Sequence, residues 1–422
     1  MSKTFKSLSA RKIALKVLFE LEKTKFRKHA DEEFYKIIND NPFVPVNDKN
    51  LAYEIISGCL RNKSLLEFHL SKFSDKPIEK IDHQLRLILI IAFYQMLFLN
   101  KIPDYAIVNE AVTLCAKNGW SKFVNAVLRT AMRNKEKQFS LPSVAIKFSH
   151  PEWLVKKLEK SFGLDKTIQI LKWNNERPEV FAVILRQFDE SIDDLVPDIA
   201  EPTEFSNDNL LRVINFQKLL KSKSFEKGNI YLITPWSVSV VNQLPLSPGM
   251  KILDMCAAPG GKSILTVCKE NVEITAADNS PRRIEKLQSN LTRCKINNVK
   301  TIVADGRNAL KIFGKNSFDA VLLDAPCSSV GVIREHPEIR WRLNDKSFSS
   351  RQVLQKQLLD SAKQVLKPNG FILYSVCSYA KEETEDVIES FLKENVNIKC
   401  VKAERNLPGE NKMSGGFFAL LQ

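Results

Sequence analysis

Two cysteines, Cys327 and Cys377, are the residues of this sequence best suited to covalent chemistry, because each lies at the end of a predicted buried strand. The two strands are predicted over Phe318–Asp324 and Gly370–Ser378. A thiolate is a strong nucleophile, and ligands of a parallel sheet bind beyond the carboxyl ends of its strands. Both sulfurs are therefore expected on neighbouring strands beside a bound ligand. A cysteine is more often a small buried hydrophobe, and that interpretation is kept for Cys59, Cys115, Cys268, Cys294 and Cys400.

A run of small residues after another predicted strand, Lys251–Met255, marks a ligand-binding loop. The loop consists of Cys256, Ala257, Ala258, Pro259, Gly260, Gly261 and Lys262. Small side chains let a ligand approach the backbone, and amides at a helix start bind anionic groups. Cys256 stands where a P-loop requires glycine, and the dinucleotide-binding glycine pattern is absent from the sequence. The loop predicts a different cofactor site, with an ordinary tight turn as the alternative and Cys256 as loop packing.

Two aspartates follow the loop at the ends of the next predicted strands. Asp278 ends the strand predicted over Val272–Asp278, and Asp305 ends the strand predicted over Thr301–Asp305. An acid at the end of the second strand can accept hydrogen bonds from both ribose hydroxyls. Asp305 is placed to meet an adenine amino group. Either acid could be a helix cap, but the loop and both acids in this order favour an adenosine-containing cofactor.

Methylation of cytosine at C5 is the best-known reaction that needs such a pocket together with two thiols. C5 is a poor nucleophile, but a thiolate that adds at C6 makes it enamine-like and able to attack an electrophilic methyl group. Asp324, three residues before Cys327, is placed to hydrogen-bond the N3 edge of the base and to favour its protonation. The target base must leave its stack to enter the pocket.

The elements that position these residues change in kind along the chain. Residues 1–140 follow helical spacing and predict an all-helical domain, with helices over 49–61, 64–73, 81–99, 105–117 and 121–134 besides one around Ala10–Leu21. Residues 141–230 predict a small α/β connector. Residues 231–422 alternate strands with helices, notably Arg282–Arg293 and Arg351–Leu366, which predicts a doubly wound, mostly parallel sheet.

The composition limits the partners and the compartment. Residues 1–150 hold 25 Lys+Arg against 15 Asp+Glu, so +10 of the net charge of +14 lies in the first third. Such a balance raises affinity for nucleic acid, with plain solubility as the alternative. The scattered cysteines predict free thiols in a reducing cytoplasm, and no histidine has metal-ligand spacing with a cysteine. The longest apolar stretch, Leu87–Tyr94, is far shorter than the ~20 residues of a membrane span and predicts a buried helix.

The catalytic segments resemble the Sun/Fmu (RsmB) family of bacterial 16S ribosomal RNA cytosine-C5 methyltransferases. The resemblance rests on Cys256–Lys262, Asp324–Ser328 and Tyr374–Ser378. It implies a Rossmann-like methyltransferase domain, S-adenosylmethionine as cofactor, 16S rRNA as partner and a monomer without metal. It also implies Cys377 as the nucleophile, with Cys327 assisting elimination. The implied cofactor contacts are Cys256–Lys262, Asp278, Arg283, Asp305 and Asp324.

The first part of the chain resembles the RNA-binding factor NusB. The matching stretches are Arg11–Leu18, Phe93–Pro103, Val108–Val112 and Phe123–Arg129. The resemblance implies an RNA-binding domain over residues 1–140. Three positions depart from the family pattern: Ser329 replaces a glycine, Val376 replaces a threonine, and Ile233-Thr234 replaces a Gln-Asp or Gln-Glu pair.

Two other functions remain open at this stage. A DNA cytosine methyltransferase would use the thiol after proline, Cys327, as its nucleophile. Alternatively, a non-catalytic RNA-binding or ribosome-assembly protein could have kept a methyltransferase fold, although intact Cys327, Cys377 and Asp324 argue against it. Spacing alone leaves the two thiols nearly even as nucleophiles.

Overall fold

The computed structural model divides the chain into two compact units. The first comprises Met1–Glu176 with Ile333–Asn344, and the second comprises Arg177–Val332 with Asp345–Gln422. Residues 8–137, 139–185, 198–204 and 209–422 are described. The three-domain division at residues 140 and 230 stays a prediction.

The described part of the first unit is helical throughout. Its helices are α1 (Ala10–Lys23), α2 (Ala30–Asn39), α3 (Val46–Arg61), α4 (Lys63–Phe73), α5 (His83–Phe98), α6 (Asp104–Thr113), α7 (Trp120–Arg133), α8 (Val144–Lys147), α9 (Glu152–Asn175, kinked at Gly163) and, within the segment 333–344, α16 (Ile339–Arg342). The apolar positions of α1 at helical spacing, Ala10 to Leu21, all enter one core.

Helix α5 forms the centre of that core. Asp82 caps its first turn by accepting from the amide of Gln84 at 3.0 Å, and Leu87 through Gln95 are all buried. The buried helix predicted for Leu87–Tyr94 is confirmed. Among the described residues, no helix is both long and apolar enough to cross a membrane.

The second unit is built on a seven-stranded sheet with the order β10-β11-β9-β8-β5-β6-β7. Its strands are β5 (Lys251–Asp254), β6 (Glu273–Asp278), β7 (Val299–Val303), β8 (Phe318–Asp324), β9 (Leu366–Val376), β10 (Cys400–Asn406) and β11 (Gly416–Leu421). The five strands β5 to β9 pair in parallel, whereas β11 is antiparallel to both β9 and β10. The predicted architecture, helices followed by a doubly wound α/β sheet, is confirmed.

Helices cover both faces of this sheet, because its strands are apolar on both sides. The helices of the second unit are α10 (Phe216–Leu220), α11 (Lys223–Glu226), α12 (Pro235–Val241), α13 (Gly261–Lys269), α14 (Pro281–Arg293), α15 (Ala309–Phe313), α17 (Lys346–Val365) and α18 (Glu385–Glu394).

A second, smaller sheet has the order β2-β3-β1-β4 and is antiparallel. Its strands are β1 (Val180–Ile184), β2 (Ala200–Pro202), β3 (Leu210–Val213) and β4 (Ile230–Leu232). The sequence over Asp189–Asp208 is acidic and without a regular period, so it predicts an irregular stretch; this prediction is wrong at 200–202, where backbone pairing with β3 forms a short strand. Residues 189–197 and 205–208 of that stretch lie outside the described residues.

Three of the predicted strands end earlier than expected, the first of them at Asp254 instead of Met255. The third parallel strand ends at Val303, so Asp305 lies beyond it and caps a short 3-10 turn by accepting from the amide of Arg307 at 3.0 Å. The fifth strand ends at Val376, so Cys377 is the first residue beyond it. Strand β10 was not predicted, because three of its seven residues, Lys402, Glu404 and Arg405, are charged and it contains no apolar run.

Candidate active site

The carboxyl ends of β5, β8 and β9 meet at one edge of the large sheet. Asp254 pairs in register with Leu322, and Asp324 pairs with Ser375. These three strands therefore bring the small-residue loop and both thiol-bearing segments to the same place. The sequence predicted β8 and β9 as neighbours, and their pairing confirms it.

The loop after β5 is shaped by a glycine that no other residue could replace without strain. Gly260 has φ +105°, and a Cβ built there would lie 2.3 Å from Leu287 Cδ1. Its left-handed backbone turns the chain into α13, which begins at Gly261. The amides at this helix start lie beside the sheet edge, as the cofactor-loop prediction requires.

Lys262 and Asp324 form an ion pair at the centre of the site. Lys262 Nζ lies 2.7 Å from Asp324 Oδ2, and the side chains are 12% and 33% exposed. Ser375 Oγ donates to Asp324 Oδ1 at 2.8 Å, which fixes the carboxylate from β9. Burial alone would lower the pKa of Lys262, but the charge of Asp324, and then that of Cys377, raise it above its usual value. Lys262 therefore stays a cation next to the Cys377 sulfur.

Asp254, at the end of β5, is a fully buried carboxyl. Ser263 Oγ donates to its Oδ2 at 2.6 Å, while its Oδ1 accepts no hydrogen bond among the described residues. Burial raises the pKa of Asp254 to about 7, and the charge of Asp324 adds to the rise, whereas Ser263 and Lys262 oppose it.

Asp278, at the end of β6, is held by Arg283 of α14. Arg283 Nη1 lies 3.1 Å from Asp278 Oδ2, and Arg283 Nη2 donates to the carbonyl of Ala258 at 2.7 Å. The arginine thus ties the second strand end to the small-residue loop. The buried Oδ2 of Asp278 accepts no well-aligned hydrogen bond among the described residues.

Asp305 is joined to this region only through the backbone, since the amide of Ala304 donates to the carbonyl of Asp278 at 3.0 Å. Its carboxylate faces Arg307, whose hydrogen bonds hold the pKa of Asp305 below its usual value. It also lines a cavity of about 440 Å³ whose other lining residues are polar: Arg307, Asn308, Gln357, Asp360, Ser361 and Gln364. The backbone of the residue before Asp305 therefore contacts Asp278, whereas the Asp305 carboxylate is paired with Arg307.

The comparisons with known proteins identify the family. The chain is 32% identical, over 394 residues, to the ribosomal RNA small subunit methyltransferase B of Citrobacter koseri, covering 89% of this chain and 90% of that protein. The chain belongs to the RsmB family. The probable ribosomal RNA small subunit methyltransferase B of Bacillus subtilis is 28% identical and covers 96% of this chain and 92% of its own length.

The two parts of the chain match separate families. Residues 241–420 match the 16S rRNA methyltransferase RsmB/F family, and residues 8–133 match the NusB family. The crystal structure titled PH0851 has a TM-score of 0.80 and covers 99% of both chains at 24% identity, which supports the fold. This RsmB-family chain is therefore a methyltransferase, and its cofactor is S-adenosylmethionine. Both predictions are confirmed.

The site of the RsmB-family chain fits this cofactor. Two buried carboxylate oxygens, Asp254 Oδ1 and Asp278 Oδ2, accept no well-aligned hydrogen bond among the described residues. S-adenosylmethionine carries an ammonium group and ribose hydroxyls, which are the donors such oxygens need. The individual contacts predicted for Cys256–Lys262, Asp278, Arg283, Asp305 and Asp324 stay predictions.

The two thiols of the RsmB-family chain have different surroundings. Burial raises the pKa of the Cys327 thiol well above its usual value, and the charges of Cys377 and Glu383 raise it further. Cys377 instead lies close enough to Lys262 for their charges to interact. Burial also raises the pKa of Cys256, with a contribution from Asp254, which suits its interpretation as loop packing.

One departure from the family pattern has a structural counterpart, and one feature of the site had no signal in the sequence. Ser329, which replaces the glycine of that pattern, has φ +62°, a left-handed backbone conformation that favours glycine. Glu383 lies six residues after Cys377, yet it binds the segment that follows Cys327. Only the folded chain brings these two segments together, so no local motif could have pointed to Glu383.

The NusB-like unit contains a groove of mixed charge and a cluster of metal-type ligands. The groove has a volume of about 1110 Å³, and its charged lining residues are Lys12, Lys16 and Lys36, all exposed, together with Lys28, Glu20, Glu33, Asp40 and Glu110. Elsewhere in the unit, donor atoms of His29, His336 and Glu338 lie within 4.8 Å of one another. His29 Nδ1 lies 3.2 Å from Glu338 Oε1, a hydrogen-bonded ion pair when the imidazole is protonated. The absence of a metal stays a prediction, as do the monomeric state and the cytoplasmic location.

Proposed function

We propose that this chain transfers a methyl group to C5 of a cytosine in small-subunit (16S) ribosomal RNA through a covalent bond between Cys377 and C6. The observation that carries the proposal is the arrangement of Cys327 and Cys377 on adjacent strand ends beside the Lys262–Asp324 ion pair. Names of relatives that act on small-subunit rRNA support the substrate class.

The side chains have separate tasks in this reaction. The Cys377 thiolate forms the S–C6 bond, and the electron pair displaced from the C5–C6 double bond makes C5 nucleophilic. Asp324 hydrogen-bonds the N3 edge, where a proton neutralises the charge that develops in the ring. When bound, S-adenosylmethionine supplies the electrophilic methyl group that C5 takes up. A base then removes the C5 proton, the S–C6 bond breaks, and its electron pair returns to Cys377.

The choice of Cys377 as nucleophile follows from the charges around the two sulfurs. A nearby cation favours a thiolate, and Lys262 supplies one beside Cys377. Desolvation and then the nearby negative charges raise the pKa of the Cys327 thiol, which disfavours its thiolate. A protonated Cys327 suits the role of assisting elimination and product release. These surroundings favour Cys377, which the spacing in the sequence did not.

Trapping on denaturing gels tests the assignment. Cys377→Ala cannot form the C6 bond, so it should be inactive and should retain no RNA. Cys327→Ala should form the bond, methylate C5 and remain attached, so that a protein–RNA complex survives denaturation. Cys268→Ala, which changes an exposed cysteine outside the site, is the matched control and should trap nothing.

The same assay separates the alternatives. Adduct with Cys377→Ala and none with Cys327→Ala would exchange the two roles and favour the DNA-type mechanism, which a parallel arm with DNA oligonucleotides would then support. If the unaltered chain fails to methylate rRNA and small ribosomal subunits alike, while binding them, the non-catalytic RNA-binding function is favoured.

A further inference from the structure

Glu383 is a buried carboxylate that lies in the turn after Cys377 and binds the residue following Cys327. It is fully buried, in a 3-10 turn over Lys381–Glu383 that precedes α18. The amide of Ser328 donates to its Oε1 at 2.7 Å, and Ser328 Oγ donates to its Oε2 at 2.5 Å. The hydroxyl of Ser378 lies close enough to counteract the rise in the pKa of the carboxylate, and its oxygen is 3.4 Å from Ser328 Oγ. Ser328 follows Cys327 directly, and Ser378 follows Cys377 directly.

The position of Glu383 is itself fixed by the sheet. Tyr374, on β9, donates from its hydroxyl to the carbonyl of Glu383 at 2.7 Å. Tyr374 is fully buried, so this contact has little freedom to move. Because β9 also leads into Cys377, the same strand fixes the position of Glu383 and of one of the two thiols.

Two other contacts join the segments that carry the thiols, but neither of them involves Glu383. The amide of Gly331 donates to the carbonyl of Cys377 at 3.0 Å, and the Ser328 and Ser378 hydroxyl oxygens lie 3.4 Å apart. The carboxylate accepts both donors of Ser328, its amide and its hydroxyl. Without it, these two donors would lose their acceptor in a buried place.

A carboxylate suits this task better than its neutral isostere. The two donors of Ser328 reach one carboxylate oxygen each, and an ionised glutamate offers about four acceptor sites and no donor. A glutamine would turn an NH₂ group toward at least one of these donors. Burial raises the pKa of Glu383, whereas the hydrogen bonds from Ser328 and Ser378 counteract that rise.

We propose that Glu383 is a positioning residue that holds Cys327 and Cys377 at the separation required for covalent methyl transfer. The inference rests on the function proposed above. It also has a consequence that does not depend on methylation: the carboxylate charge lies close enough to Cys327 to disfavour its thiolate. Removing that charge should make Cys327 easier to ionise.

The test compares Glu383→Gln with Glu389→Gln, the same change at an exposed position of α18. With the full chain and small-subunit RNA, Glu383→Gln should lower kcat at least about tenfold and leave KM for S-adenosylmethionine within about twofold. The control should keep both constants. Glu383→Asp retains the charge but shortens the reach, so it should restore the alkylation behaviour of Cys327 and little of kcat.

Alkylation by iodoacetamide, followed residue by residue with mass spectrometry, gives the second measurement. In Glu383→Gln the pH at which Cys327 becomes reactive should fall, whereas the profile of Cys327 in the control should not move. Should Glu383→Gln not fold, Ser328→Ala removes the hydroxyl donor to Glu383 and should lower kcat by about threefold or more. Unaltered kcat together with an unaltered Cys327 profile in the folded variants would overturn the proposal.

The two proposals fail in different ways. If the unaltered chain does not methylate rRNA, the proposed function fails, but the alkylation profile still reports whether Glu383 acts on Cys327. If the chain methylates rRNA and Glu383→Gln does so equally well, the function stands and the role of Glu383 is wrong.

Discussion

Replacing Asp254 with asparagine should stabilise the catalytic unit at neutral pH. The side chain is 1% exposed, and burial raises its pKa from 3.8 to about 7. A carboxyl with a raised pKa binds its proton more tightly in the folded than in the unfolded chain. Its contribution to stability is therefore full below the unfolded pKa and is lost as the pH rises from about 4 to about 7.

The magnitude follows from the size of the rise. A shift from 3.8 to about 7 corresponds to roughly 4 kcal/mol of difference between the protonated and ionised forms. The neutral asparagine keeps an acceptor for the Ser263 hydroxyl, which donates to Asp254 at 2.6 Å. Asp254→Asn should thus match the unaltered chain near pH 4 and exceed its unfolding free energy by up to about 4 kcal/mol near pH 8.

Urea unfolding of the full chain between about pH 4 and about pH 8, read by hydrogen exchange in peptides from β5 and α13, measures this difference in the unit that contains Asp254. Asp319→Asn is the control of opposite sign. Burial would raise the pKa of Asp319, but hydrogen bonds from Lys367 and from the Lys251 amide lower it, so that variant should lose stability at neutral pH and less at low pH. A difference between Asp254→Asn and the unaltered chain that stays constant with pH would refute the reasoning.

Three further outcomes are expected. Asp278→Ala should weaken S-adenosylmethionine binding by about 1–3 kcal/mol, the usual loss for hydrogen bonds to a charged group. Unchanged affinity in calorimetry would show that Asp278 does not bind the cofactor. Ser329→Gly should raise the unfolding free energy by about 0.5–1 kcal/mol in urea titrations, because relief of the left-handed strain at φ +62° outweighs the greater chain entropy of glycine. Changing Lys12 and Lys16 to glutamate should weaken rRNA binding and flatten its salt dependence while leaving cofactor affinity intact, and the same change at exposed Lys101 should have a smaller effect.

Much of the catalytic unit was predictable because its candidate site residues lie in short contiguous segments. The loop Cys256–Lys262 combines small residues with a helix start, and apolar strands precede Asp324 and Cys377. Hydrophobic periodicity and residue composition are properties of short segments, so they predict the strands, the helices and the order of the site residues along the chain. Strand ends were less predictable, as Asp305 illustrates, because the last pairing of a strand depends on its neighbour in the sheet.

The sequence by itself determined the fold class, the cofactor loop and the identity of both thiols, since each depends on residue types within one segment. Only the tertiary structure decided how those thiols differ. Lys262 comes from α13 and Glu383 from the turn before α18, and packing alone sets their charges beside Cys377 and Cys327. The reason is physical: the ionisation of a buried thiol depends on burial and on charges within a few ångströms, and residues distant in sequence supply both.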